Sequence, residues 1–284
     1  MAGKLYLVAT PIGNLEDITL RALRVLRDEV AVIACEDTRQ TQKLLQHFDI
    51  RKPLIAYHEH NEASRSAEIV QMLQREESVA LVTDAGTPLV SDPGYRVVTA
   101  AVEAGMTVIP IPGASAVLAA LAASGLPTNE FRFAGFLPPK QLARKKALEE
   151  LSNETATLVI YESPHRILDT LADIQEAMGS RPVVLARELT KLHEEFLRGA
   201  AGEIREQLQA RSSVKGEITL VIGRAEEQSG IAGDPLEAIV SLQNAGVERM
   251  EAIKSVAKRL GLPKREVYRL AMEQGSSSPD KRRD

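Results

Sequence analysis

Val79-Ala-Leu-Val-Thr-Asp-Ala-Gly-Thr-Pro-Leu-Val-Ser-Asp-Pro-Gly-Tyr-Arg-Val-Val-Thr-Ala-Ala-Val-Glu-Ala104 is the stretch that decides the fold. Its first residues, 79–83, form a short aliphatic run bounded by polar residues, as in a strand buried on both faces. Residues 95–104 repeat apolar side chains at helical spacing. Between them lies a loop of Gly, Pro, Asp and Ser, residues 84–94. A strand that leaves into such a loop and then a helix builds a ligand crevice at the carboxyl edge of an α/β sheet. Gly86 and Gly94 let backbone approach a ligand closely. Asp84 and Asp92 accept hydrogen bonds from hydroxyls or face a cation. A capped turn needs two or three residues, and a connection this long in a compact domain is usually functional.

The same alternation runs outward in both directions. Strands are predicted at 4–10, 30–35, 53–58, 79–83 and 107–111, with helices at 15–27, 38–48, 63–75 and 94–104. This pattern means βαβ units and a mainly parallel sheet. Residues 113–124 are small and apolar, a buried helix broken by Gly125-Leu-Pro127. A second set of elements follows, with strands at 131–136, 155–161, 182–188, 195–197 and 217–223. Helices are predicted among them at 141–151, 166–178 and 203–210. The expected organisation is an N-terminal α/β domain over 1–125, a second α/β domain over 126–228 and a helical module over 235–273. A linker is expected near 226–234 and a disordered tail over 274–284.

Composition narrows the function classes. With 284 residues and 44% hydrophobic side chains, two domains with real cores are affordable in size. A net charge of −4 gives no global signature of a nucleic-acid binder, so any RNA contact must come from local patches. Tryptophan is absent and aromatics are 4%, against a base-stacking platform. The single cysteine, Cys35, excludes a disulfide framework and fits a reducing compartment. The N-terminal apolar stretch is too short for a signal peptide, and no apolar run could span a bilayer. The expectation is a soluble, cytoplasmic protein with no membrane association.

Four more strand-end loops are chemically loaded. Thr10-Pro-Ile-Gly-Asn-Leu-Glu-Asp17 opens a helix. Cys35-Glu-Asp-Thr-Arg39 places two carboxylates and a guanidinium together, which is costly at a strand end unless they are used or paired. Tyr57-His-Glu-His-Asn-Glu62 has no HExxH spacing and no third clustered ligand, so no metal is expected. Pro110-Ile-Pro-Gly-Ala-Ser-Ala116 opens the small-residue helix, where a ligand could lie against a helix N-terminus. Several signatures are missing. No GxGxxG follows a strand, and neither GxxxxGK[ST] nor GxSxG occurs.

In this order, Thr10-Pro-Ile-Gly-Asn-Leu-Glu-Asp-Ile-Thr19, Glu36-Asp-Thr-Arg39, His58-Glu-His-Asn-Glu62, residues 83–94 and Pro110-Ile-Pro-Gly-Ala-Ser115 resemble the tetrapyrrole methylase superfamily. The resemblance is closer still to its branch acting on small-subunit ribosomal RNA, and covers 4–225. It implies two α/β domains with S-adenosylmethionine in the cleft between them, a homodimer, and methylation of a cytidine ribose 2′-oxygen in the decoding region of 16S ribosomal RNA. Donor contacts carried over on the matching positions are Pro11, Gly13, Asp84, Ala85, Gly86, Pro88, Val90, Ala114, Ser115 and Ala116. From the second domain they are Tyr161 and the strand around 156–158.

Methyl transfer from a sulfonium is an in-line displacement, so positioning dominates, and a base would help a weakly acidic hydroxyl. Glu36, Asp37 and Glu62 are the candidates for that base. Arg39 and His58 are expected near the RNA, with Arg144, Lys145 and Lys146 beside Lys140 as one basic patch. Lys254, Lys258, Arg259, Lys264, Arg265 and Arg269 form a second patch, on helices patterned like a helix-turn-helix. Two other readings compete. One is a precorrin-type methyltransferase for a small tetrapyrrole. The other is a non-enzymatic nucleic-acid-binding ligand sensor.

Overall fold

The computed structural model describes residues 2–225, 235–244, 246–260 and 262–275. Its contacts divide the chain into one compact unit up to Arg224 and another from Ala225. The first unit holds two five-stranded sheets.

The first sheet comprises β1 (Lys4–Val8), β2 (Val32–Cys35), β3 (Leu54–Ala56), β4 (Val79–Val82) and β5 (Thr107–Ile111), in the order β3-β2-β4-β1-β5, all parallel. Side-chain alternation sends Tyr6, Val8, Ile33, Cys35, Ala80 and Val82 into one core and Leu5, Val32, Ala34, Val79 and Leu81 into another. The sheet is therefore buried on both faces, which accounts for its continuous aliphatic strands. The crossover helices are α1 (Leu20–Arg24), α2 (Thr38–His47), α3 (Glu62–Gln74) and α4 (Tyr95–Glu103).

The single helix predicted over 15–27 is divided in the structure. A 3-10 turn at Leu15–Asp17 precedes α1, which widens into a π turn at Val25–Glu29. Two caps compete here. Asn14 accepts from the Glu16 N–H, and extended Thr19 accepts from the Ala22 N–H.

The second sheet comprises β6 (Phe131–Phe136), β7 (Thr157–Glu162), β8 (Pro182–Arg187), β9 (Glu195–Ala200) and β10 (Ile218–Ile222), in the order β6-β7-β10-β8-β9. Only β6 and β7 run parallel; the other pairs are antiparallel. One face packs on the core beneath α6 (Gln141–Leu151), α7 (Ile167–Met178) and α8 (Ala201–Gln209). Its other face presents Val159, Val184, Ala186 and Val221 to α5 (Ala116–Ser124), through Val117, Ala120 and Leu121. The small-residue helix of the first half is thus a structural member of the second.

The second unit contains α9 (Pro235–Asn244), α10 (Arg249–Leu260) and α11 (Lys264–Gly275) around Ile239, Ile253, Val256, Val267 and Ala271. The expected linker, 226–234, lies outside the described residues. Of the expected tail, the first residues belong to α11 and the rest lie outside the description. Among the described residues, no helix is long and apolar enough to cross a membrane.

Candidate functional site

The loop after β4 is tied down at three points. Thr10 and Gly86 exchange both backbone bonds at 2.9 and 3.0 Å, and the Thr10 hydroxyl donates to the Thr83 carbonyl. The Thr87 hydroxyl donates to the Ala114 carbonyl at 3.2 Å. At the far end, the Gly94 N–H donates to Glu62 Oε1 at 2.9 Å. Gly94 has φ 142°, and a Cβ there would meet Leu81 and Leu89 at 2.9 Å, so only glycine fits. Leu89 and Ser91 hold left-handed backbone without being glycine. Such residues cost on the order of 1–3 kcal/mol each and persist only where the surroundings over-determine them.

Two cavities flank this loop. The first, about 360 Å³, brings together Asp84, Ala85, Gly86, Val90, Ser115, Ala116 and Tyr161 from the expected donor contacts. Ile12, Thr87, Ser91, Asp92, Phe136 and the stretches Glu162-Ser-Pro164 and Gly216-Glu-Ile-Thr219 complete its lining. The second, about 490 Å³, is lined by Pro11 and Gly13 of the first loop, together with Gln40, Thr41 and Lys43 of α2, Thr83 and Lys191. Ile12, Asp84, Ala85 and Glu217 line both. Of the other expected donor contacts, Ala114 serves the loop through its carbonyl, and Pro88 lines neither cavity.

Phe136 carried no signal beyond the run Gly135-Phe-Leu-Pro-Pro139. It reaches the cavity because the β6–β7 register shifts between Phe133 and Phe136 while Gly135 adopts φ 65°. A bulge re-aims the side chain after it. Phe133 and Phe136 then pack on the Tyr161 ring at 4.9 and 5.5 Å. Glu162 is 2% exposed. It accepts from the Ser163 N–H, from Arg166 and from the Thr170 hydroxyl, which fixes the Ser163-Pro164 turn at the cavity wall.

The three candidate bases sit around the loop, and none is among the residues lining either cavity. Asp37 caps α2 and grips Arg39 through both oxygens; that guanidinium holds its pKa down at about 2. Glu62 is committed to the Gly94 N–H, the Tyr57 hydroxyl and Arg96. Glu36 is pushed up by burial, then by Asp84, Asp92 and Glu59. Asp92 is likewise raised by burial, with Asp84 adding to it. The loop mouth thus carries a concentrated negative field, which suits a bound cation.

Of the residues expected near RNA, Arg39 is exposed at the start of α2. The His58 N–H donates to Asn61 Oδ1, and its Nε2 lies 3.3 Å from the Asn61 amide. Lys145 pairs with Glu176, and Lys146 is exposed. Arg144 does not belong to that surface patch. It is 3% exposed, and its Nε donates to Asp173 at 2.7 Å in the core between α6 and α7. A basic helix read from sequence does not reveal which cation faces inward, because the partner lies on another helix. Among the described residues, no three His, Cys, Asp or Glu side chains converge as a metal site requires.

Residues 4–205 match the family model of tetrapyrrole (corrin/porphyrin) methylases. A protein of Halalkalibacterium halodurans named ribosomal RNA small subunit methyltransferase I is 48% identical over 274 residues, covering 94% of each chain. One of that name from Escherichia coli O157:H7 is 45% identical, covering 96% of each. Among solved structures, a conserved hypothetical protein from Aeropyrum pernix K1 superposes with a TM-score of 0.59 at 20% identity, over 97% of both chains. Uroporphyrin-III C-methyl transferase from Thermus thermophilus, complexed with S-adenyl homocysteine, gives 0.53 at 20% identity, over 78% of this chain and 98% of that one. At such identities the likeness speaks for the fold. The chain therefore belongs to the tetrapyrrole (corrin/porphyrin) methylase family and, within it, to the family of ribosomal RNA small subunit methyltransferase I.

Proposed function

We propose that this chain methylates the ribose 2′-oxygen of a cytidine in the decoding region of 16S ribosomal RNA. Its family makes it an S-adenosylmethionine-dependent ribosomal RNA methyltransferase; the nucleotide and the acceptor atom are our reading. The observation that carries it is the first cavity, where seven residues expected to hold the donor line one wall-to-wall space.

The lining suits S-adenosylmethionine in its chemistry. Tyr161 and Phe136 offer aromatic surface for a purine and for the sulfonium. Asp84 and Asp92 supply negative charge beside a cation, and Ser91, Ser115 and Ser163 offer hydroxyls to the amino-acid end. When bound, the donor supplies an activated methyl group. The chain's own contribution is position: the ties at Thr10, Ala114 and Glu62 hold the loop against it, and the aromatic wall gives it an apolar face to lie on.

We further read residues 1–125 and 126–228 as two domains sharing this cleft, with the protein acting in the cytoplasm as a homodimer on RNA within the small ribosomal subunit. Arg39, Lys145 and Lys146 are the proposed phosphate contacts outside the cleft. Mass mapping of 16S ribosomal RNA from a strain lacking the protein tests the reading. One ribose methyl group should disappear from a decoding-region cytidine and return on complementation; an unchanged methylation map would refute it.

A further inference from the structure

The second cavity touches the first along a short wall of four residues, Ile12, Asp84, Ala85 and Glu217. At about 490 Å³ it is within the range of small-molecule sites. Its character differs from the first: no aromatic side chain lines it, and much of its wall is Thr, Gln, Lys and carboxylate. It lies at the carboxyl ends of β1 and β4, where α/β sheets bind ligands. An acceptor in this second space would meet a donor in the first across the shared wall.

One side of the cavity is built to stay in place. Lys191 Nζ donates to Glu188 at 2.7 Å and to Glu217 at 3.1 Å. Its methylenes lie so close over Gly13 that a Cβ there would sit 2.4 Å from Lys191 Cγ. Glu188 and Thr190 carry left-handed backbone at φ 52° and 66°, and the Thr190 N–H is tied to Glu194. On the shared wall the two carboxylates are not equivalent. Glu217 is engaged with Lys191. Asp84 uses Oδ1 to accept the Asp37 N–H at 3.2 Å, and among the described residues Oδ2 has no protein partner.

We propose that the second cavity receives the acceptor nucleotide and that Asp84, on the wall common to both cavities, is the catalytic residue that orients the acceptor hydroxyl and takes its proton. The inference rests on the reading of the first cavity as the donor site. As the hydroxyl oxygen forms its bond to the methyl carbon, the carbon–sulfur bond breaks with its electron pair left on sulfur. The oxygen becomes positively charged, its proton becomes strongly acidic, and the carboxylate of Asp84 accepts it, then returns it to water. An ordinary carboxylate suffices for this late transfer, since the proton leaves only as the new bond forms. Glu36, Asp37 and Glu62 shape the surroundings without touching the reacting oxygen.

The test uses the full chain, 30S subunits from a strain lacking the protein, and two variants. Asp84→Asn retains the acceptor for the Asp37 N–H and the shape of the wall. Gln40→Trp, on an exposed position of α2, fills the second cavity and leaves the first alone. Turnover, donor affinity by calorimetry and 30S affinity by filter binding are read for each. In Asp84→Asn, turnover at saturating donor should fall at least ~100-fold, well beyond the loss of donor affinity that follows from removing this charge from the first cavity. In Gln40→Trp, 30S affinity or KM should worsen at least ~10-fold, with donor affinity unchanged. Normal turnover in Asp84→Asn, or loss of donor affinity in place of turnover, would overturn the role of Asp84. Normal 30S affinity and turnover in Gln40→Trp would overturn the acceptor site. Wild-type protein that transfers no methyl group to 30S would overturn the proposed function and this inference with it.

Discussion

Glu62 illustrates how one side chain changes meaning between sequence and structure. In the run His58-Glu-His-Asn-Glu62 it reads as a candidate base at a strand end. In the structure it fixes the end of the loop after β4 by accepting from the Gly94 N–H and the Tyr57 hydroxyl. It therefore acts through the loop. Glu62→Gln should weaken donor binding by about tenfold and lower thermal stability by about 1–3 kcal/mol, the cost of a disrupted buried network. Loss of turnover with unchanged donor affinity in calorimetry would contradict that role. Arg144 is the second case. Its exposed neighbours, Lys145 and Lys146, are where the basic patch survives, while Arg144 and Asp173 are both buried. Arg144→Met leaves a buried carboxylate without its cation. The expected loss is about 3–5 kcal/mol in chemical denaturation. An Arg144→Met, Asp173→Leu double variant should recover most of it.

At the level of elements, the β8–β9 hairpin joins stability to the site. Glu195 opens β9 and binds Arg211 and Arg187. The Arg211 guanidinium, opposed by burial and aided by Arg187, holds the Glu195 carboxyl down at about 2, against an ordinary value of 4.5. A depressed carboxyl contributes stability above the unfolded value and loses it as pH falls through the folded one. The window is therefore pH 4.5 down to about 2, and the loss is up to about 3 kcal/mol. Glu195→Gln should remove that part of the acid slope when unfolding free energy is measured across pH 2–6. Identical slopes in the two proteins would rule out the contribution. The same hairpin carries Lys191 to Gly13, so a loosened ladder also loosens the second cavity's wall. Its length was underread from sequence. Residues after Leu197 include Arg and Gly, which weaken a strand signal, yet six register pairs with β8 extend β9 to Ala200. Pairing partners, not local propensity, set that end.

For the whole molecule, the division at Arg224 gives the C-terminal helices a core of their own, with Ile253, Val256 and Val267 fully buried. Deleting 235–284 should therefore leave the proposed donor site folded. The expected result is unchanged donor affinity and weaker binding to 30S subunits, with a shallower dependence on salt as phosphate contacts are lost. Unaltered 30S affinity would show that this module grips no RNA. Much of the architecture was legible in the chain itself. Aliphatic runs alternating with amphipathic helices specify a parallel sheet because both patterns are local and repeat. Loops of Gly, Pro, Asp and Ser pointed to the sheet edge where the two cavities lie, because special backbone and exposed polar groups cluster there. Which loops share a cavity was not local. Ile12, Asp84 and Glu217 are far apart in the chain and meet only when the two sheets pack across α5. Burial of Arg144, the turn of Phe136 into the cleft and the engagement of Glu62 depend on partners elsewhere in the chain. A side chain's chemistry comes from its type, but its task comes from its neighbours, and those are chosen by packing.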